Sequence, residues 1–426
     1  MNIRRALSGD RRNLVSNVVA RVLALIALGL ATVVVARVSG PSGVGVFALL
    51  RVLPGLVGVV VSGGLPTGVP YFFAQPDRRG LRATVVVMMV VAGIAGSLLW
   101  AVGAGAIQQV FFSDLSRGLV VLAGCTVFTQ LLVATAKGAS QGRGDLPGAN
   151  QVIVLEELMF LPAYGVLWLT GTHGTFLIIV SLLAADLATA LVAWRRLARR
   201  GYFFQIGLPS AMLGREVWWY GTRGEIGAVL SLLNLRLDFA LLDVFAGTAV
   251  VGTYAVASKF AELVRLVPVA ITYVLYPRFS RETKEQATAD TRRMLGPATA
   301  LSFVCAVVLA LIAPFVLPLL YGAQFDAAVG LAQLLLVGLS IEGAAGVISA
   351  YLYGTGRPGL NSLAMGAGVV LTVVLDLLLV PGWGATGAAI ASTAAYIVTT
   401  VTLLLVFRAS TPRRELAPEP ISWRMS

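Results

Sequence analysis

Residues 295–320 read LGPATALSFVCAVVLALIAPFVLPLL, twenty-six positions without one charged side chain, preceded by Arg292 and Arg293. A run of about 20 apolar residues is what an α-helix needs to cross a hydrocarbon core of about 30 Å. A soluble helix of this length would show a polar face, and this one has none. Similar runs recur along the chain, at 13–36, 44–73, 83–108, 116–137, 150–170, 175–196, 223–246, 249–277, 328–354, 359–381 and 385–408. With 295–320 they predict an all-α polytopic membrane protein of about twelve transmembrane helices. The composition agrees: 58% of the 426 residues are hydrophobic and only 12% charged, half the usual charged fraction of a soluble protein.

The net charge of +12 raises the question of nucleic acid, and the placement of the charge argues against it. Arg4, Arg5, Arg11 and Arg12 precede the first run. Arg78, Arg79 and Arg82 follow the second, and Arg195, Arg196, Arg199 and Arg200 follow the sixth. Arg278, Arg281, Lys284, Arg292 and Arg293 separate the eighth from the ninth, and Arg408, Arg413, Arg414 and Arg424 close the chain. The intervening loops hold only Arg37 and Arg117. Cations confined to alternate loops report orientation, with both termini cytoplasmic.

Cys125 and Cys305 both lie within apolar runs, so no disulfide framework is expected. The single His173 excludes a histidine metal cluster. No Walker loop, dinucleotide fingerprint, zinc spacing or nucleophile–histidine pair is present, so neither a cofactor, a metal nor an enzymatic activity is expected. The basic segment before the first run resembles a signal peptide, but the run is too long and lacks a small-x-small cleavage site; it is read as the first helix.

An internal repeat divides the chain. A shift of 207 residues lays Gly40, Gly45, Phe47, Ala48, Pro70 and Phe72 on Gly247, Gly252, Tyr254, Ala255, Pro277 and Phe279. A shift near 214 lays Gly142-Arg143 on Gly356-Arg357. The expected organisation is therefore a six-helix half over 1–196, a cytoplasmic interfacial linker over 197–222, a second six-helix half over 223–408, and a disordered tail over 409–426. The linker carries Tyr202, Phe203, Phe204, Trp218, Trp219 and Tyr220, aromatics that favour the headgroup zone. Parallel repeats of this kind place a substrate site between the halves.

Several ordered motifs carry a family resemblance. The run Arg236-Leu-Asp238-Phe-Ala-Leu-Leu-Asp243-Val-Phe-Ala-Gly247-Thr-Ala-Val-Val-Gly252-Thr-Tyr254 is the longest. Ala36-Arg37-Val-Ser-Gly40-Pro-Ser-Gly43-Val-Gly45-Val-Phe47 follows the first helix, and Tyr276-Pro277-Arg278-Phe279-Ser280 closes the eighth. Gly354-Thr-Gly356-Arg357-Pro358 and Gly384-Ala-Thr-Gly387-Ala-Ala-Ile390 complete the set. Their order and spacing resemble the polysaccharide-biosynthesis flippases, the oligosaccharide or O-antigen group of the MOP superfamily, relatives of the MATE exporters. The resemblance implies a substrate, an oligosaccharide on a polyprenyl diphosphate, turned from the inner to the outer leaflet of a bacterial cytoplasmic membrane. It implies the bilayer as surroundings and polymerase or glycosyltransferase machinery as partners.

A charge at the centre of a membrane helix costs about 2.5–3.5 kcal/mol on insertion scales, so those present are expected to face a wet cavity or a partner. Lys259, Glu262 and Arg265, spaced by three, share one helix face. They read either as a self-neutralising ladder or as a cationic stripe with Glu262 holding both cations. Arg51 falls on Ser258 under the 207 shift, so each half offers a cation at nearly the same depth. Arg21 and Arg236 complete the expected diphosphate-binding set, since arginine grips phosphate oxygens bidentately; for Arg21 the alternative is a snorkel to the inner surface. Asp186, Asp238, Glu342 and Asp376 are candidates for proton or cation coupling, each also readable as a satisfied structural hydrogen bond. Glu156 and Glu157 read as solvated at the inner mouth. The competing function is a MATE- or MFS-type drug or metabolite antiporter, which favours an acidic cavity. A membrane glycosyltransferase or polymerase is the third class, and the short outer loops argue against it.

Overall fold

The computed structural model describes residues 3–76, 78–279 and 282–410; the side chains of 3–15, 18, 223–237, 273, 274, 277 and 358 are outside the described set. Among the described residues there are helices and turns and no strand. The helices are α1 (Ile3–Leu50), α2 (Leu53–Val61), α3 (Leu65–Ala74), α4 (Leu81–Phe111), α5 (Arg117–Ala123), α6 (Cys125–Gly142), α7 (Leu146–Leu158), α8 (Phe160–Leu169) and α9 (Gly174–Arg199). They continue with α10 (Ala211–Ala246), α11 (Thr248–Ala261), α12 (Leu266–Phe279), α13 (Lys284–Tyr321), α14 (Ala327–Leu339), α15 (Glu342–Gly354) and α16 (Pro358–Ser410). A 3-10 turn, Glu262–Arg265, joins α11 to α12.

Seven of these helical segments are long and apolar enough to cross a membrane, or eight if α14 and α15, bent by 43°, form one span. The rest are shorter because the chain breaks inside the apolar runs. Two breaks hide within continuous helices: Gly40 (φ 65°, ψ −167°) divides α1, and Gly384 (φ 52°, ψ −130°) divides α16. Both backbones lie where a Cβ is strained, so glycine is required. The break between α2 and α3 uses Gly63 and Gly64 with Pro66 following, and Pro54 opens α2.

The outer surface is what a bilayer demands. On α13, Leu311, Phe315 and Leu319 are 68%, 75% and 73% exposed, and Val102, Leu169 and Leu378 elsewhere are as bare. In water such a surface would aggregate; in lipid it is solvated, while every helix satisfies its own backbone. The protein is a multi-pass, all-α membrane protein.

Some boundaries differ from the sequence expectation. Helix α10 starts at Ala211, twelve residues before the apolar run at 223, so Trp218, Trp219 and Tyr220 stand on its first turns. Ser210 caps it through Leu213 N–H, a signal the hydropathy reading passed over. Helix α13 likewise begins at Lys284, started by a capping box of Thr283 and Gln286. Tyr202, expected at the headgroups, is wholly buried against Phe73 and Trp194. Of the expected tail over 409–426, residues 411–426 lie outside the described residues.

Helices α1 to α9 pack mainly among themselves, as do α10 to α16, and the chief junction between the two groups is α1 against α11. There the backbones touch: a Cβ on Gly45 would overlap the carbonyl oxygen of Thr248, and one on Gly252 would overlap that of Pro41. Arg37 locks the same end, its guanidinium donating to the carbonyls of Leu320 at 2.8 Å and Leu319 at the end of α13. Gln324 donates back to Ala36 O at 2.9 Å.

Candidate functional site

Arg51 occupies the two-residue break between α1 and α2. A break leaves the last carbonyls of the preceding helix without partners, and Gln130 of α6 meets that of Leu50 at 3.2 Å. The guanidinium reaches Glu157 of α7 at 2.5 Å and lies 5.5 Å from the Phe47 ring centre. Next to Glu157, Glu156 accepts from Lys137 of α6 at 2.8 Å. Asp186 of α9, 8% exposed, accepts from Thr129 at 2.7 Å. Arg51, Glu156 and Asp186 line one cavity of ≈ 180 Å³ together with Gly55, Gly58 and Gln130.

Glu156 and Glu157 are therefore not merely solvated, as the sequence reading had them: each is committed to a cation. Both pairs are half-buried, their side chains 16–34% exposed, so losing one partner leaves the other charge poorly compensated without stranding it in a dry interior. The sequence signal was the adjacent double acid inside an apolar run, opposite a lone lysine in the preceding run. The cluster holds two cations against three acids.

The second cluster sits where α11 ends. Lys259 lies 3.7 Å from Glu262, whose carboxylate also accepts from Ser258 at 3.2 Å. The following 3-10 turn keeps Glu262 and Arg265 on one face, since residues three apart eclipse in that geometry. Arg265 also has a second acid. Arg265 donates a bidentate pair to Glu342 of α15, at 2.7 and 3.1 Å, and its guanidinium lies 4.8 Å from the Tyr396 ring centre. Glu342 is thus the partner of an arginine and not an isolated acid. Sequence spacing shows pairs within one helix; it carries no information on which distant helix supplies an acid.

A third group lies on α10, α11 and α16. Asp238 is buried and accepts from the Tyr254 hydroxyl at 2.6 Å and the Ser392 hydroxyl at 3.4 Å. Asp376 is fully buried, and neither of its carboxylate oxygens has a hydrogen-bond partner among the described residues. A buried carboxylate so placed is a strong candidate to take up a proton or a cation. Arg236 falls within α10, but its side chain lies outside the described residues. Arg21 is exposed and donates to Asn17 at 3.0 Å, with Asn17 joined to Asn150 at 2.7 Å. Among the described residues no group of three or more His, Cys, Asp and Glu side chains is arranged to hold a metal ion.

At the basic end, beyond the spans, a compact network ties the helices together. Asp145 caps α7 through Gly148 N–H at 3.1 Å and accepts from Arg196 at 2.7 and 2.9 Å, with Arg200 at 3.2 Å. The Arg196 hydrogen bonds hold its carboxyl below the usual carboxylate range; burial opposes this, and the Gly148 bond and the charges of Arg196 and Arg200 add to it. Arg78 makes a bidentate pair with Glu216 of α10, at 2.6 and 3.2 Å, which lowers the Glu216 pKa.

Known proteins share this architecture. The lipid II flippase MurJ, in an inward closed conformation, superposes with a TM-score of 0.74 at 14% identity, over 92% of this chain and 87% of that one. An inward-facing multidrug resistance MATE family transporter of the MOP superfamily gives 0.70 at 16%, over 93% and 97%. A MOP superfamily transporter from Pyrococcus furiosus gives 0.62 at 16%, over 93% of each chain. Identities this low establish the fold alone. A probable low-salt glycan biosynthesis flippase, Agl15 of Haloferax volcanii, is 20% identical over 370 residues, covering 86% of this chain and 76% of that protein. The family described as polysaccharide biosynthesis protein matches residues 34–330, more than half of the sequence and both charge clusters up to Arg265. The chain belongs to the polysaccharide biosynthesis protein family.

Proposed function

We propose that the protein is a transporter, not an enzyme, and that it flips a polyprenyl-diphosphate-linked oligosaccharide from the inner to the outer leaflet of a bacterial cytoplasmic membrane. Family membership and the flippases among its relatives support the class. The observation that carries the site is a cation at or beside a helix break in each half, the two breaks lying a few residues apart under the repeat. Arg51 stands in the break between α1 and α2, and Lys259 stands just before the 3-10 turn that interrupts the corresponding helix 207 residues later. Discontinuous membrane helices with charged groups at the break are how transporters build mid-membrane sites.

In this reading the chain makes twelve passes with both termini inside. It comprises two six-helix halves, 1–196 and 223–408, joined along the inner surface through 197–222. Arg51, Lys259 and Arg265 hold the diphosphate, with Arg21 and Arg236 assisting, and the substrate exchanges for Glu157 on Arg51 as the halves rock. Asp186 and Asp376 are the candidates for ion coupling; Asp238 serves by holding Tyr254 and Ser392, and Glu342 by holding Arg265. Polymerase or glycosyltransferase machinery would supply and consume the substrate.

The test is a depletion strain, in which the lipid-linked sugar should accumulate on the inner leaflet. Arg51→Ala and Lys259→Ala should each abolish rescue at near-normal abundance. Full rescue by the double variant would end the cationic-site reading. One observation favours a second reading: the Arg51 cluster has an excess acid, as a cation antiporter of the MATE type requires. Rescue of sugar export with loss of drug resistance, or the reverse, separates the two.

A further inference from the structure

Arg265, at the end of the 3-10 turn between α11 and α12, meets two other helices. Its Nε–H and one Nη2–H go to the Glu342 carboxylate of α15, at 3.1 and 2.7 Å. Its central carbon lies over the Tyr396 ring of α16, 4.8 Å from the ring centre. A guanidinium carries five N–H donors in a fixed fork. Glu342 takes two, and the other three, on Nη1 and Nη2, have no hydrogen-bond partner among the described residues. The side chain is 23% exposed, so an anion can reach that open end without displacing Glu342. Net charge does not draw it there, because Lys259, Arg265, Glu262 and Glu342 sum to zero. A phosphate is held at this point by directed hydrogen bonds, and the fork that gives them must be aimed.

We propose that Tyr396 is a positioning residue for Arg265, a role that rests on the function proposed above: its ring fixes the guanidinium so that Glu342 closes one edge and the other stays open to the substrate diphosphate. A bidentate pair fixes one edge of a guanidinium and leaves its plane free to swing about that edge. A ring packed against the guanidinium stops the swing, and its attraction for the cation grows as water is excluded. The Tyr396 hydroxyl makes no hydrogen bond among the described residues, so what it offers Arg265 is the ring.

The ring is itself held. Ser392, one turn earlier on α16, meets the Tyr254 hydroxyl at 3.1 Å and Asp238 at 3.4 Å. Residues four apart share a helix face, so this tie and the ring lie on the same side of α16. Thr393 donates to the carbonyl of Leu334 on α14 at 2.9 Å. The Thr393 carbonyl in turn leaves no room for a Cβ on Gly338. Helix α16 is thus pinned to α10, α11 and α14 within a turn of Tyr396, which is only 8% exposed.

Purified full-length protein in detergent is titrated with farnesyl diphosphate, with binding read by thermophoresis beside the melting temperature. Tyr396→Phe keeps the ring and should bind as the wild type does, whereas Tyr396→Leu should weaken binding about five-fold, the scale of a partly desolvated cation–π contact. Leucine also leaves a gap that lowers stability on its own, so the deciding series replaces Tyr396 by phenylalanine bearing one, two and three fluorines. Fluorine draws electron density from the ring face and hardly changes its size. Binding should fall step by step along the series, to about five-fold at its end. A flat series would overturn the role, because a ring that merely fills space is blind to its own electron density. A loss in Tyr396→Phe as large as in Tyr396→Leu would overturn it too, by assigning the effect to the hydroxyl. Arg265→Gln tests the underlying reading separately and should weaken farnesyl diphosphate more than any change at Tyr396. In that background the fluorine series should be flat; a series that still falls shows that the ring acts elsewhere. Undiminished binding by Arg265→Gln would refute the diphosphate site at Arg265 itself, whereas a loss there beside a flat series in the wild type refutes the role of Tyr396 alone.

Discussion

Gly45 and Gly252 each lie against the backbone of the other's helix, Gly45 at the carbonyl of Thr248 and Gly252 at that of Pro41. The offset of 207 residues that carries Gly45 onto Gly252 also carries Pro41 onto Thr248. One contact is thus made twice, as across an internal two-fold axis. Small residues let membrane helices approach until backbones touch, which is where such helices gain most of their association energy.

Alanine at either glycine must push α1 and α11 apart. Overpacking of this kind costs about 1–3 kcal/mol, and both sites oppose the same closure. Gly45→Ala and Gly252→Ala should each raise the reactivity of a cysteine placed at Thr248 toward an impermeant thiol reagent added from outside. Transport should fall by at least ten-fold while protein level stays near normal. The double variant should be little worse than either single one, since the seam is already open. Unaltered cysteine reactivity in both single variants would mean that this seam is not a moving part.

The Arg51–Glu157 pair invites a double-mutant cycle. Each single variant, Arg51→Ala or Glu157→Gln, removes one partner only. Arg51→Ala strands a carboxylate beside Glu156 and Asp186, and should lower the melting temperature in detergent more than Glu157→Gln does. The double variant should recover most of the loss in stability, because leaving one half-buried charge without its partner is worse than deleting both. It should not recover transport if Arg51 binds the substrate. Recovery of both would make the pair structural.

How much of this was legible beforehand follows a physical line. Membrane spans were readable because burial in lipid must be written into every residue of a helix, and the run at 295–320 is the plainest case. The correspondence of Arg51 with the neighbourhood of Lys259 was readable because the repeat lays residue 51 on Ser258. Gly40 and Gly384 were readable as lying between apolar runs, whereas the breaks at Arg51 and at Gly63-Gly64 fall inside the run 44–73, which was read as a single span. The acids that answer the cations were not readable. Glu342 meets Arg265 from 77 residues away, and Glu157 meets Arg51 from 106, distances set by helix packing and not by periodicity.

Asp145 supplies a pH prediction. Its folded pKa lies below the ordinary 3.8, chiefly through the Arg196 hydrogen bonds. A depressed acid contributes stability that is complete above its unfolded pKa and is lost as pH falls through the folded one. Thermal stability in detergent should therefore hold through neutral and mildly acidic pH and decline below about 4. Asp145→Asn should be less stable than wild type at pH 7, and the gap should close as the pH drops. A gap that persists unchanged below pH 3 would show that the cap to Gly148, and not the charge pair, is what Asp145 contributes.

Asp376 and Asp238 should respond in opposite ways to the same change. Asp238 accepts from Tyr254 and Ser392, so its carboxylate organises three helices. Asp376 is fully buried, with neither oxygen partnered among the described residues, and an unsatisfied buried polar group costs about 1–3 kcal/mol, more when charged. Asp238→Asn replaces a charge-assisted acceptor by a weaker one and should destabilise the protein. Asp376→Asn replaces a carboxyl group that has no partner among the described residues by a neutral amide of the same size, so the melting temperature should hold or rise. If Asp376 takes up the coupling ion, that stabler variant should nevertheless lose transport, and its residual activity should no longer vary with external pH or monovalent cation. Stability and activity moving apart at Asp376, but together at Asp238, is the pattern expected of an ion site beside a structural acid. A loss of stability in Asp376→Asn as large as that in Asp238→Asn would mean that its carboxylate already has a partner, and the coupling assignment would fall with it.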